Sequence, residues 1–275
     1  MTTSATPIPR TAASLPAGRA GLRHAVRSEW TKFWSVRSTA WSLAVTIVAV
    51  VGICVLATTV ATNGNHNQVP DPTRRSLTGF FLGQFAIGVL GVLVISAEYG
   101  TGSIRSTLAA MPRRPVVLAA KVVVFGVVAL VVSEGLAFGA FFIGQTLLPA
   151  SVHHAALGQP EVTRAVVESG LYLAVLGLLA LGLATVIRHT AGAIAAYAGV
   201  LLVLPIVISA LPSSLMNAIT RYVPANIGLT ILSTTQTGRL FSSPVFSPWT
   251  GLAILAGYTV AILALGCWLM VRRDA

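Results

Sequence analysis

Few side chains in this sequence are equipped for chemistry. Only seven residues are acidic, and the only lysines are Lys32 and Lys121. The carboxylate set deepest in apolar surroundings is Glu134. Counting 13 residues on from Lys121 places it about 20 Å along a helix, near the middle of a bilayer. A carboxylate there is costly and commonly functional. It can be a polar contact hydrogen-bonded to a neighbouring helix, a contact lining a pathway, or a proton-coupling site. No other acidic residue is expected at matching depth, so the structural contact is favoured and proton coupling least. His153 and His154 with Glu161 and Glu168 nearby match no zinc-protease spacing and read as a solvated loop. No Ser/His/Asp or Cys/His set presents itself. Neither lysine lies in a Gly-x-x-x-x-Gly-Lys-[Ser/Thr] phosphate loop. Enzyme activity within this chain is therefore not expected, and work against a gradient would need energy from a partner or from ions.

The densest charged block runs from Glu98 to Lys121 between two long apolar stretches and carries Arg105, Arg113 and Arg114. It reads as a short helix, with Thr101 or Ser103 as cap and Pro112 as stop. Ile104, Leu108 and Met111 form one apolar stripe at i, i+4, i+7. Glu98 can pair with Arg105 or with a basic partner surface. A helix of this kind, held at a membrane surface between two spans, is built to be gripped by something in the aqueous phase.

The elements around it are set by composition. The 275 residues are 55% hydrophobic and 9% charged, with net charge +11 and mean hydropathy +0.83. These values lie outside the soluble globular range and point to an all-α polytopic membrane protein. The positive charge is explained by membrane-protein loops facing anionic lipid, so no nucleic acid is expected. The first apolar run starts near residue 40, too late for a secretory signal. Residues 1–20 read as a disordered tail. Residues 21–39 read as an amphipathic interfacial helix, with Leu22, Val26, Trp30, Phe33 and Trp34 on one side and Arg23, Arg27 and Lys32 mostly off it. Six spans follow, near 41–61, 77–97, 116–148, 168–187, 191–211 (kinked at Pro205) and 249–271. The third is long for a vertical crossing. The connection at 212–248 is too broken for a clean span and suits short interfacial or re-entrant helices. Cys54 and Cys267 fall at different depths, which speaks against a disulfide. Gly79-x-x-x-Gly83 and Gly135-x-x-x-Gly139 read as internal packing seams rather than a dimer seam.

Six spans with a cytoplasmic N-terminus put thirteen cations inside: Arg10, Arg19, Arg23, Arg27, Lys32, Arg37, Arg105, Arg113, Arg114, Lys121, Arg188, Arg272 and Arg273. Five stay outside: Arg74, Arg75, Arg164, Arg221 and Arg239. This asymmetry follows the positive-inside rule. Both termini and the 98–121 block are then cytoplasmic.

Two segments resemble a known family. Ser28-Glu-Trp-Thr-Lys-Phe-Trp-Ser-Val-Arg-Ser38 before the first span is similar to the N-terminal segment of actinobacterial type-2 ATP-binding-cassette (ABC) transporter permeases. Glu98-Tyr-x-x-Gly-x-Ile-Arg105, followed by Leu108, Pro112, Arg114 and Lys121, is similar to that family's cytoplasmic loop between spans two and three. The resemblance covers roughly residues 22–275. It implies a permease subunit of an exporter in the cytoplasmic membrane, paired with a second permease copy or homologue and with two separate ATPase subunits. ATP and Mg would be held by those partners, with no cofactor in this chain. Residues 98–115 would be the coupling helix, with Glu98, Thr101, Ile104, Arg105, Leu108, Met111, Arg113 and Arg114 on the ATPase. Residues 22–38 would be the connecting helix, with Glu29, Trp30, Lys32 and Phe33, and 212–248 part of an external gate. The competing readings are an ion-coupled secondary transporter using Glu134 and a non-transporting anchor for a soluble partner.

Overall fold

The computed structural model describes residues 21–35, 37–63, 71–111, 113–149, 152–235, 239–240 and 243–272. The expectations placed on residues 1–20 and on Pro112 itself fall outside them. In chain order the helices are α1 (Leu22–Ser35), α2 (Arg37–Asn63), α3 (Pro72–Ser76), α4 (Phe80–Thr101), α5 (Ser103–Ala110), α6 (Arg114–Leu147) and α7 (Pro160–Ile187). Then come α8 (Thr190–Ala198), α9 (Leu204–Ser209), α10 (Ser213–Ile219), α11 (Pro224–Ile231) and α12 (Pro248–Arg272). A two-rung antiparallel pair, Arg239–Leu240 with Ser243–Pro244, precedes α12. Six helical stretches are long and apolar enough to cross a membrane: α2, α4, α6, α7, the α8–α9 pair and α12. The fold is all-α, and the chain is a multi-pass membrane protein.

α7 is the hub. Of its apolar stretch 67% is buried, against 22% for α2 and for α8–α9, so α7 packs on protein while those two spans face outward. The approach of α4 to α7 depends on missing side chains. A Cβ at Gly91 would lie 2.3 Å from the carbonyl oxygen of Gly177, closer than two helices carrying side chains can come. Gly79 likewise lies against the Val50 backbone of α2, and Gly83 against the Val50 side chain. The first glycine pair is thus an internal seam. Gly135 and Gly139 have open space beside them, so the second pair faces away from the bundle rather than sealing it.

Several boundaries move. α7 starts at Pro160, eight residues before the expected start, so Glu161 and Arg164 are helical rather than in a loop. Proline suits a first helical turn, and an acidic residue there meets the positive end of the helix dipole. Arg164 binds Glu161 at 3.0 Å and Glu168 at 2.9 Å, so one arginine serves both carboxylates at the start of the helix. Glu168 is fully buried. Glu134 is therefore not the only acidic residue set well inside a span. α6 runs 34 residues, about 51 Å, well beyond a 30 Å hydrocarbon core. Its first two turns meet α1 and α12.

The fifth span changes pitch as the proline demands. Residues Gly199–Val203 form a π-helical segment directly before Pro205. Pro205 supplies no N–H and its ring crowds the carbonyl four residues back, so the widened turn relieves the clash. Beyond it, α10 is exposed while α11 is buried against α7 and α12. Within 212–248, where short interfacial or re-entrant helices are expected, α11 is a short helix buried in the bundle. Its Gly228 lies against Tyr172, whose hydroxyl donates to Gln84 Oε1 at 2.8 Å.

Candidate functional site

Both lysines of the chain and two of its seven acidic residues meet at one end of the bundle. Lys32 Nζ donates to Glu29 Oε1 at 3.0 Å and to Glu98 Oε1 at 2.6 Å. Lys121 Nζ donates to Glu29 Oε2 at 2.8 Å and to Glu98 Oε1 at 2.7 Å. Lys32 also reaches Thr107 Oγ1 on α5 at 3.5 Å, and Lys121 reaches Val94 O at 3.4 Å. Each element presents its charge by simple periodicity. Glu29 and Lys32 stand three apart on α1, Glu98 is in the last turn of α4, and Lys121 is two turns into α6. The two ammonium groups make six contacts to five acceptor atoms, Glu98 Oε1 taking one from each lysine, and the group is neutral overall. That explains how Lys121, 1% exposed, stays buried, since a lone ammonium there would be strongly penalised. The cluster therefore ties α1, α4, α5 and α6 together. Beside it lies a cavity of about 100 Å³ walled by Phe33, Leu93, Val94, Ala97, Phe125 and the four charged residues.

The orientation of α1 corrects the amphipathic reading. Ala25, Glu29 and Phe33 are the buried face, while Leu22 and Trp30 are exposed. The helix is turned by about one residue, 100°, from the apolar stripe. The physical reason is Lys121: its buried charge requires Glu29 on the inner face. Trp30 and Trp34 then face outward, stacked edge-on at 5.9 Å, with the amphipathic rings suited to a membrane interface.

α4 breaks into α5 at Gly102, whose φ of +71° a side chain would resist. Neither expected cap serves. Thr101 ends α4 by bonding back to Ala97 O, and its hydroxyl lies 3.0 Å from that of Ser103, the first residue of α5. α5 ends at Ala110, with Met111 extended as the residue before a proline should be. Of the apolar stripe, Ile104 is buried in the chain's own bundle, and Leu108 and Met111 are half-buried. The surface α5 offers outward is the opposite face: Arg105, Ser106, Ala109 and Ala110, continuing to Arg113. Glu98 pairs with the two lysines rather than with Arg105. Arg114 is half-buried and donates to Met270 O at 2.8 Å, while Arg188 donates to Leu269 O at 3.1 Å and lies over Tyr99. These two arginines satisfy carbonyls at the end of α12, where cations are favoured. The Arg188 contacts also hold the left-handed backbone, φ 60°, that turns α7 into α8.

Glu134 stands apart from all of this, half-buried on α6 with its carboxyl against Gly170 of α7. His153 and His154 are exposed. Among the described residues no three His, Cys, Asp or Glu side chains gather as a metal would require.

With this geometry in place, residues 42–275 match the family described as ABC-2 family transporter protein. The chain belongs to the ABC-2 transporter family. No curated protein matches it. The matched residues of this ABC-2 permease run from α2 to the C-terminus and include Glu98 and Lys121. α1, with Glu29 and Lys32, lies before them.

The cluster was not foreseen from the sequence. Its partners are 92 residues apart for Lys121 and Glu29, a separation that no periodicity spans. A signal was present nonetheless: a lysine two turns into a long apolar helix needs a carboxylate, and Glu29 and Glu98 flank spans that end on the same side.

The cluster fixes a pH dependence for this permease. Burial opposes the charge of Lys32, but hydrogen bonds and the charges of Glu98 and Glu29 outweigh it and hold the ammonium above its ordinary value. A raised folded value means the contribution is fully present below the unfolded value of about 10.4 and is lost as pH rises through the folded one. The thermal stability of wild type should exceed that of Lys32→Met by a constant margin from pH 6 to about 10 and converge only above that. Unfolding midpoints of the two proteins across this range check it, and convergence near neutrality would refute it.

Proposed function

We propose that this chain is the membrane subunit of an ABC exporter in the cytoplasmic membrane. Its termini and the Glu29–Lys121 end face the cytoplasm, and its energy comes from a separate ATPase. In this reading two ATPase copies hold ATP and Mg, two permease copies or homologues pair in the bilayer, and this chain binds no nucleotide. The observation that carries the reading is α5. It is a short helix between two spans, exposed on a face bearing Arg105 and continuing to Arg113, and tied from behind through Lys32 and Thr107 to the neutral cluster. A push on α5 is passed by charged hydrogen bonds to α1, α4 and α6 together. The cavity beside the cluster lets these side chains shift without unpacking the core, which elsewhere is too dense to deform gradually. Alternating access then follows as rigid-body motion of the spans.

The test is co-purification from the native host in mild detergent, with an ATPase assay on the eluate. Wild type should bring down a roughly stoichiometric ATPase. Arg105→Glu with Arg113→Glu should weaken retention by about tenfold or more, since reversing interfacial charges costs at least 1.4 kcal/mol, while thermal unfolding is unchanged. A clean chain without ATPase, or equal retention by the double variant, refutes it.

A further inference from the structure

Turning Glu29 inward gives the outward side of α1 a stripe of cations and indoles. At 100° per residue, Arg23, Arg27, Trp30 and Trp34 fall within about 60° of one another, along about 16 Å of helix. All four are exposed, Trp30 at 45% and Trp34 at 56%. Glu29, the sole carboxylate of α1, is buried on the other side and held by both lysines. Neither Arg23 nor Arg27 makes an ion pair among the described residues. The stripe is therefore positive and partly aromatic, with no acid to neutralise it.

The surroundings of this stripe are those of a lipid headgroup layer. Four of the five tryptophans lie at this end of the bundle. Trp41, one turn into α2, is 72% exposed, and Trp268, near the end of α12, is 49% exposed with Arg272 over its ring at 4.5 Å. Trp268 belongs to this end because the next two carbonyls, of Leu269 and Met270, take Arg188 and Arg114. Exposed indoles on three separate elements mark a membrane–water boundary. They fit a bilayer, which surrounds the bundle, better than one docked protein, which covers a single side. Two arginines with no carboxylate beside them then select anionic lipid, since guanidinium pairs with phosphate bidentately and cations gain from an anionic surface.

We propose that the outward face of α1 is a contact for anionic phospholipid, with Arg23 and Arg27 on lipid phosphates and Trp30 and Trp34 among the headgroups. Glu29 and Lys32 leave the other side of the same helix toward Lys121, Glu98 and Thr107. Lipid that holds α1 therefore also holds α4, α5 and α6 through the cluster, and the charge of the bilayer sets how firmly the cluster is closed. This contact needs no ATPase, so its test is independent of the exporter reading.

The experiment is amide hydrogen exchange of the purified full chain in nanodiscs, of phosphatidylcholine alone and of phosphatidylcholine mixed equally with phosphatidylglycerol. In wild type, exchange over Leu22–Ser35 should be about tenfold slower with phosphatidylglycerol, and high salt should shrink the difference. Arg23→Gln with Arg27→Gln should exchange at the phosphatidylcholine rate in both bilayers. Arg74→Gln, exposed at the opposite end, lowers the net charge without touching α1 and should respond as wild type does. Trp30→Ala with Trp34→Ala should exchange faster than wild type in both bilayers yet still respond to phosphatidylglycerol. Three results would overturn the proposal: equal wild-type exchange in the two bilayers; a phosphatidylglycerol effect undiminished in the double arginine variant; or protection of α1 that ignores lipid and appears only when a co-purified ATPase is added, which makes the face a protein dock.

Discussion

Replacing Lys121 by methionine should destabilise this permease by about 3–5 kcal/mol and release α1 from the bundle. Removing one partner of a buried ion pair leaves the other uncompensated, and that penalty exceeds the net worth of the intact pair. Here it is enlarged, because Glu29 and Glu98 both lose a donor and face each other across the space Lys121 filled. Lys32 remains, but it is partly exposed and already bonds both carboxylates. The double variant Glu98→Gln with Lys121→Met removes one charge of each sign and should recover most of the loss, as neutral replacement of buried pairs commonly does. The two variants separate stability from communication. The single variant should unfold earlier in detergent and lose amide protection over Leu22–Ser35. The double should be stable yet still exchange faster over α1, because Glu29 has lost its anchor on α6. A single variant within about 0.5 kcal/mol of wild type, the range of ordinary surface substitutions, would show that the cluster holds nothing together.

The contrast between Lys121 and Ile104 shows what could be read from the sequence. The six spans were legible because hydrocarbon thickness alone dictates about twenty apolar residues each. The short helix after α4 was legible from its polar flanks, but not the cause of the break: the caps expected at Thr101 or Ser103 do not serve, and Gly102 turns the chain. The direction in which a short amphipathic helix faces was not. The stripes on α1 and α5 were read as faces turned toward lipid or partner. In the fold, Ile104 belongs to the chain's own interior, and α1 turns Glu29 inward to meet Lys121. An apolar stripe does not say which apolar surface it meets, and a buried charge overrides it by several kcal/mol. The start of α7 was missed for a related reason. Glu161, Arg164 and Glu168 looked too polar for a helix entering the membrane, yet at spacings of three and four Arg164 pairs with both carboxylates.

The same logic applies to Asp71, at the opposite end, which carries the second large effect. Asp71 caps α3 through Arg74 N at 2.9 Å and accepts from Ser233 Oγ at 3.1 Å, Thr234 N at 2.7 Å, Thr234 Oγ1 at 2.8 Å and Thr235 N at 3.4 Å. Arg164 takes the Ser233 carbonyl at 2.9 Å. The C-terminal end of α11 is thus held from two sides, by the head of α3 and by the first turns of α7. Asp71→Ala should cost about 1 kcal/mol for the lost cap and a further 1–3 kcal/mol for the donors left without an acceptor. The loss should be local: amide exchange over 224–235 accelerates, while protection of α1 is untouched. Asp71→Asn keeps one acceptor and the cap and should fall between. Pairing Asp71→Ala with Arg164→Gln should give less than the sum if the two anchors hold one segment, because once one is gone the other restrains a strand already loosened. Strict additivity would mean that the contacts act on separate elements, and that α11 is held instead by Gly228 packing on Tyr172.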